Sequence, residues 1–199
     1  MFEHVPILSC ARFLQFSPAF PTPDTSPLAQ RLYFYCNKEG EDMPEFPLIE
    51  IRPYRASDLD GVIDLFLRAV RETASVDYNE KQIDVWAQAD PDEWAVARAS
   101  RPTWVAFTGG QLAGFADLER NGLIDMMFVH PDHQRKGVAT ALLARIEAEA
   151  DEAGMQVLHT YASATGRPFF EYCGFTMLLA RAVVVRGQRF VQFVMEKVL

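Results

Sequence analysis

The stretch Val129-His130-Pro131-Asp132-His133-Gln134-Arg135-Lys136-Gly137-Val138-Ala139-Thr140 decides how this chain is read. An apolar run ends at Val129, a turn with two basic residues follows, and Gly137 opens a helix to about Ala153. Its apolar stripe is Val138, Ala141, Leu142 and Ile146, and Gly154 ends it. Backbone N–H groups at a helix start have no intrahelical partner, and the helix dipole adds positive potential, so a pyrophosphate fits there. Gly137 and Ala139 are small enough for phosphates to approach the backbone, and Arg135 and Lys136 add charge. No Gly-Lys-Ser/Thr follows, so this is not a P-loop, nor is it a G-x-G-x-x-G dinucleotide turn. Taken alone, the stretch also suits an ordinary connection with a solvated basic face.

Working outward, Leu48 to Tyr54 alternates as a strand, and Ser57-Asp58-Leu59-Asp60 resembles a capping box opening a helix to about Thr73. Asn79-Glu80-Lys81-Gln82 caps a second helix, and Pro91-Asp92-Glu93-Trp94 opens a short third one. Thr103–Thr108 and Leu112–Glu119 read as a hairpin about Gly109-Gly110, and Asn121-Gly122 as a second hairpin signal before one apolar strand, Leu123–Val129. Beyond the long helix come a strand at Val157–Ala162, a short helix at Pro168–Cys173, and strands Met177–Val185 and Phe190–Val198. This order predicts an α+β domain with a mixed, mostly antiparallel sheet flanked by helices.

Gln134-x-x-Gly137-x-Ala139 resembles the Gln/Arg-x-x-Gly-x-Gly/Ala signature of the GNAT acetyltransferase superfamily. A second block, Ser163-Ala164-Thr165-Gly166-Arg167-Pro168-Phe169-Phe170-Glu171-Tyr172-Cys173-Gly174-Phe175, is similar to that family's N-x-x-A-x-x-F-Y-x-x-x-G-F segment. The resemblance covers residues 48–199 and is nearest to small bacterial acetyltransferases. It implies the GNAT fold and transfer of an acetyl group from acetyl-CoA, as co-substrate, to a primary amine of a small molecule. By position it implies that backbone groups of Phe128 and Val129 pair with the pantetheine arm. Gln134, Arg135, Lys136, Gly137, Val138, Ala139 and Thr140 hold the pyrophosphate, Ser163 lies near the pantetheine, and Phe169 and Phe170 flank the thioester.

Where many relatives carry a tyrosine thought to protonate the leaving thiolate, this chain has Phe170. Tyr172 lies about 200° further round a helix, so it is either the substitute acid or a packing or substrate-wall residue. Asp125 interrupts the apolar run Leu123–Val129, where a charge is costly unless paired or working; it is the candidate base, or else hydrogen-bonded to Tyr78 or a helix end. Tyr78, Trp86 and Phe190 are candidates for an acceptor pocket or for core, with access between the loop 73–82 and the Arg186-Gly187-Gln188 turn. His130 and His133 have no third ligand in view, so no metal is expected. An alternative reading is a non-catalytic acyl-CoA-binding or sensing module, favoured by the loss of the tyrosine at Phe170 and disfavoured by Asp125 and the complete phosphate turn.

Composition sets the frame. The chain has 199 residues, 49% apolar, with a net charge of −8, which disfavours nucleic-acid binding and modestly favours cationic acceptors by steering. No apolar run approaches the ~20 residues of a membrane span. Three widely spaced cysteines, Cys10, Cys36 and Cys173, fit a reducing cytoplasm. Residues 1–48 hold 7 of the 12 prolines and 6 of the 15 phenylalanines, so 1–47 read as an irregular extension distinct from the domain at 48–199. That extension is a partner-binding or self-packing arm, a weak transit peptide, or the product of a start assigned upstream of Met43. A homodimer through the last strands is left open.

Overall fold

The computed structural model describes residues 48–199. The Pro- and Phe-rich stretch 1–47, with Cys10, Cys36 and the candidate start at Met43, lies outside the described residues.

β1 (Ile49–Pro53) ends at its proline, and Arg52 closes the corner that follows. Two guanidinium nitrogens of Arg52 each donate to a carboxylate oxygen of Asp58 at 2.7 Å, and Asp58 also accepts the Arg55 amide at 2.8 Å. The capping role expected of Ser57 therefore falls to Asp58, which reaches back over the short turn Ala56–Asp58; the Arg52 fork holds its carboxyl below the usual aspartate range. α1 (Leu59–Arg68) buries Val62, Leu65 and Phe66 and runs on through a π-helical turn (Ala69–Thr73) and a 3-10 turn (Ala74–Val76). α2 (Glu80–Trp86) starts at the expected capping box, Asn79 and Gln82 each accepting the other's amide at 3.0 Å. α3 (Pro91–Ser100) is longer than the short piece expected, with Asp90 accepting the amides of both Asp92 and Glu93.

β2 (Thr103–Thr108), β3 (Gln111–Asp117), α4 (Val138–Glu152), β6 (Val157–Ala162), α5 (Arg167–Tyr172), β7 (Thr176–Val185) and β8 (Gln188–Val198) lie where the periodicity puts them. The exception is Leu123–Val129, expected as one strand. It is two: β4 (Leu123–Ile124) pairs in parallel with β6, and β5 (Met127–Val129) pairs antiparallel with β3. The chain changes sheet at Asp125-Met126, because Asp117 captures Met126 from both sides: the Asp117 amide donates to the Met126 carbonyl at 3.0 Å, and the Met126 amide donates to Asp117 Oδ1 at 2.8 Å. Asn121-Gly122 does form a tight turn, with Gly122 at φ +86°, but the strand that pairs with β3 is β5 rather than β4.

The result is two four-stranded sheets, ordered β1-β2-β3-β5 and β4-β6-β8-β7, mostly antiparallel, with helices on their faces. This is the α+β class expected. One apolar layer joins Trp104, Ala106, Leu142, Ile146, Leu158, Phe170 and Met195 under α4 and α5; the other joins Val62, Phe66, Val70, Val105, Phe115 and Phe190 under α1 and α2. Full burial of a side chain such as Phe115 or Leu142 contributes roughly 1.5–3 kcal/mol. No helix among the described residues is long and apolar enough to cross a membrane.

Candidate active site

The turn expected to take a pyrophosphate, between β5 and α4, has one feature that the sequence does not reveal. After β5 a 3-10 turn (Pro131–His133) is capped by His130 Nδ1, which accepts the Asp132 amide at 3.2 Å. The backbone is then left-handed twice, at Arg135 (φ 60°) and Gly137 (φ 87°). Such alternation turns successive amides toward one side and makes a concavity for an anion. α4 follows at once; its first backbone bond runs from the Ala141 amide to the Gly137 carbonyl at 3.0 Å, leaving the amides of Val138, Ala139 and Thr140 with no helical acceptor. The Gln134 side chain donates to Thr73 Oγ1 in the π turn, and Lys136 Nζ donates to the Asp132 carbonyl at 2.7 Å, while Arg135 is exposed and makes no ion pair among the described residues.

Behind the turn, Arg68 spans Glu72 at 2.7 Å and the His130 ring at 2.6 Å. His133 is buried, and that burial lowers its pKa.

Next to this turn the two sheets part. β4 still pairs with β6 at Leu123 and Ile124, whereas β5 has left for β3, so a seam opens between Met127–Val129 and the end of β6. The ladder fixes which backbone groups face it. The Asp117 amide bonds Met126 and the His130 amide bonds Ala113, so by alternation Phe128 exchanges its bonds with Phe115, and the polar groups of Met127 and Val129 face the seam. The backbone groups of Phe128, expected to pair with the pantetheine arm, are thus taken up by β3, while those of Met127 and Val129 are left facing the seam; the Phe128 ring stacks on Phe115 at 5.7 Å. On the far side Ser163 Oγ accepts the Gly166 amide at 3.0 Å and fixes the start of α5.

The residues of α5 divide by face. Phe170 is 6% exposed and packs on Phe169 and Phe175, with centroids at 5.3 and 5.1 Å. Tyr172 is 62% exposed, two residues on from the buried Phe170 and so about 200° further round the helix. Cys173 is half-buried, and burial raises its pKa.

Tyr78, Trp86 and Phe190 do come together, as one packed cluster with centroids 5.2 to 6.2 Å apart. Tyr78 and Phe190 are buried within the layer under α1 and α2. The Tyr78 hydroxyl accepts the Ala164 amide at 2.9 Å, and Thr165 donates to Asp77 at 2.7 Å, so the corner 77–78 is bound to the segment after β6. Beside the access route expected at the 186–188 turn, two exposed hydrogen bonds tie α2 to the hairpin: Gln82 Nε2 donates to the Arg189 carbonyl at 2.7 Å, and Arg186 donates to the Val85 carbonyl at 2.8 Å.

Asp125 sits where the chain changes sheet, and its partner is Arg101 at 2.9 Å rather than Tyr78 or a helix end. Arg101 also contacts Glu119 at 2.6 Å and Asp117 at 3.7 Å. Asp117 in turn pairs at 3.0 Å with Arg98, itself packed over Trp94 and Phe115; both members of the pair are buried. Burial pushes the Asp117 carboxyl up to about 6 against the attraction of Arg98. Sequence reasoning missed this pair, although Asp117 shares the signal that singled out Asp125, a charge within an apolar strand.

A family profile described as an acetyltransferase (GNAT) domain matches residues 74–197. The uncharacterized N-acetyltransferase YafP of Escherichia coli is 39% identical over 148 residues, spanning 74% of this chain and 95% of YafP. A crystal structure of a GCN5-related N-acetyltransferase from Rhodopseudomonas palustris superposes with a TM-score of 0.74 at 29% identity, covering 80% of this chain and all of that one. YncA from Salmonella typhimurium, solved with acetyl-CoA, shares the fold with a TM-score of 0.60 at 20% identity, covering 76% of this chain and 94% of that one.

Proposed function

The chain belongs to the GNAT acetyltransferase family and is an acyltransferase, and we propose that its donor is acetyl-CoA and its acceptor the primary amine of a small molecule. The carrying observation is the doubly left-handed turn Arg135–Gly137, which leaves three amides at the start of α4 without helical acceptors, shortly after β5, the strand that borders the seam. Arg135, Lys136 and the amides of Gly137 to Thr140 would take the pyrophosphate. Met127 and Val129 would pair with the pantetheine arm as an added strand, with Ser163 and Phe169 on the opposite wall. Acetyl-CoA bound to YncA supports the choice of donor.

Transfer is direct. The neutral amine attacks the thioester carbonyl, a C–N bond forms, the C–S bond breaks, and thiolate leaves. Asp125, at 40% side-chain exposure where the sheets part, takes the amine's proton through water. Arg101, 2.9 Å away, keeps the carboxylate oriented. The outer strand β7 is exposed along nearly its whole length, which supports pairing of two copies there.

Calorimetric titration with CoA tests the donor site. The wild type binds CoA, and Arg135→Glu weakens it at least tenfold; equal affinity would overturn the assignment of the turn.

A further inference from the structure

A cavity of about 490 Å³ opens where the end of β1, the end of α3, the start of β2 and the second half of α4 meet. It lies apart from the seam. Trp104, in its wall, is separated from Met127 by β3, since Ala116 pairs with both, and two strand spacings are about 10 Å. Arg145 and Glu149, which line it from α4, stand seven and eleven residues beyond Val138, about 10 and 16 Å along the helix.

The lining is largely apolar, and its charged members are Arg98, Arg101 and Arg145 against Glu149 alone. Arg98 is buried and committed to Asp117 at 3.0 Å. The other two arginines each keep part of the guanidinium fork idle. Arg145 Nη2 donates to Glu149 at 2.6 Å and its guanidinium lies over Trp104 at 5.1 Å, while Nε and Nη1 form no hydrogen bond among the described residues. Arg101 donates through Nη1 to Asp125 at 2.9 Å, and its Nε and Nη2 form none. The Tyr54 hydroxyl, also in the lining, has no partner among the described residues either. What the cavity offers a ligand is therefore N–H and O–H donors, positive charge and apolar surface.

We propose that this cavity binds a small organic carboxylate with a flat apolar body, the carboxylate received by Arg101, Arg145 and the Tyr54 hydroxyl and the body lying beside Trp104. A carboxylate matches the planar N–H edge of a guanidinium, which gives such pairs their strength. A phosphate dianion sets a second negative charge beside Glu149 and leaves the apolar wall uncovered, and an ammonium meets two arginines. The volume is within the roughly 300–1,000 Å³ usual for small-molecule pockets, and an apolar lining with a few convergent polar groups is their usual chemistry. The site is independent of the acetyl-CoA reading, because none of its residues borders the seam or the phosphate turn.

Calorimetric titration of the full chain with benzoate is the test. Binding saturates, with Kd on the order of 0.1–1 mM for so small a ligand. Saturating CoA leaves that affinity within about twofold, since the two sites share no residue. Arg145→Gln, at a side chain 34% exposed, weakens benzoate at least about tenfold, and Tyr54→Phe weakens it about threefold. Benzyl alcohol, which lacks the charge, and inorganic phosphate, which lacks the apolar body, each bind the wild type at least about tenfold more weakly than benzoate. No saturation below about 10 mM overturns the proposal, as does unchanged affinity in either variant. Equal binding of benzyl alcohol or phosphate also overturns it, and so does competition by CoA, which places benzoate in the seam. Should Arg145→Gln not fold, Tyr54→Phe and the three probes on the wild type carry the test.

Discussion

Gly114 of β3 lies so close to Val138, the first residue of α4, that a Cβ on Gly114 would stand 2.8 Å from Val138 Cγ1. The same Cβ would meet Leu142 Cδ1 and the Phe128 carbonyl oxygen, each at 3.0 Å. The missing side chain is what lets the helix start press onto the strand beside β5, and so brings the unpaired amides to the seam.

Gly114→Ala forces that contact apart. Overpacking of this kind costs about 1–3 kcal/mol. The expected outcome is a lower melting temperature together with CoA affinity weakened about tenfold. Calorimetry on the variant checks both, and unchanged CoA affinity would show that α4 need not sit so close.

Gly137 acts through its backbone rather than through space. A Cβ there meets nothing nearer than Ile49 Cδ1 at 3.7 Å, yet φ is +87°. Gly137→Val is thus strained by conformation, at roughly 1–2 kcal/mol. Relief of that strain swings the amides away, so CoA binding falls at least tenfold. Titration of CoA into folded variant measures this.

Much of this was legible in the residues. The helix α4, the turn before it and the hairpin strands follow from period and glycine placement. The site's geometry was less so, because it depends on one strand changing sheets. Nothing in the apolar run Leu123–Val129 distinguishes a continuous strand from two short ones. The decision belongs to Asp117, nine residues from Met126, and to the ladder parity that turns Met127 rather than Phe128 toward the seam. The Tyr78 hydroxyl meeting Ala164 is a contact 86 residues apart in sequence, which no local spacing encodes.

Asp117 gives a pH signature. Its carboxyl is raised to about 6 in the fold, above the ~4 of an unfolded aspartate. The native state therefore holds this proton more tightly, so the contribution is complete below about pH 4 and lost as pH rises through 6. Melting of the wild type against Asp117→Asn checks the sign: the wild-type advantage grows from pH 7 to pH 5. An advantage that shrinks on acidification would place the titration elsewhere.

Asp125 separates chemistry from stability. Its pair with Arg101 is partly exposed, and Arg101 keeps Glu119 at 2.6 Å, so Asp125→Asn changes stability by less than about 1 kcal/mol. As the base, its loss lowers kcat by about 10²–10⁴-fold with little change in CoA affinity. Steady-state kinetics beside a melting curve distinguishes the two, and full activity in this variant would remove Asp125 from the mechanism.

An acetyltransferase seam must hold acetyl-CoA and pass its acetyl group to an amine. Thiol release from acetyl-CoA, followed across a panel of small cationic and neutral amines, tests it most directly. Release is expected to saturate with both acetyl-CoA and at least one amine, and to be lost in Gly137→Val. Saturable CoA binding with no amine-dependent release from any member of the panel would contradict it.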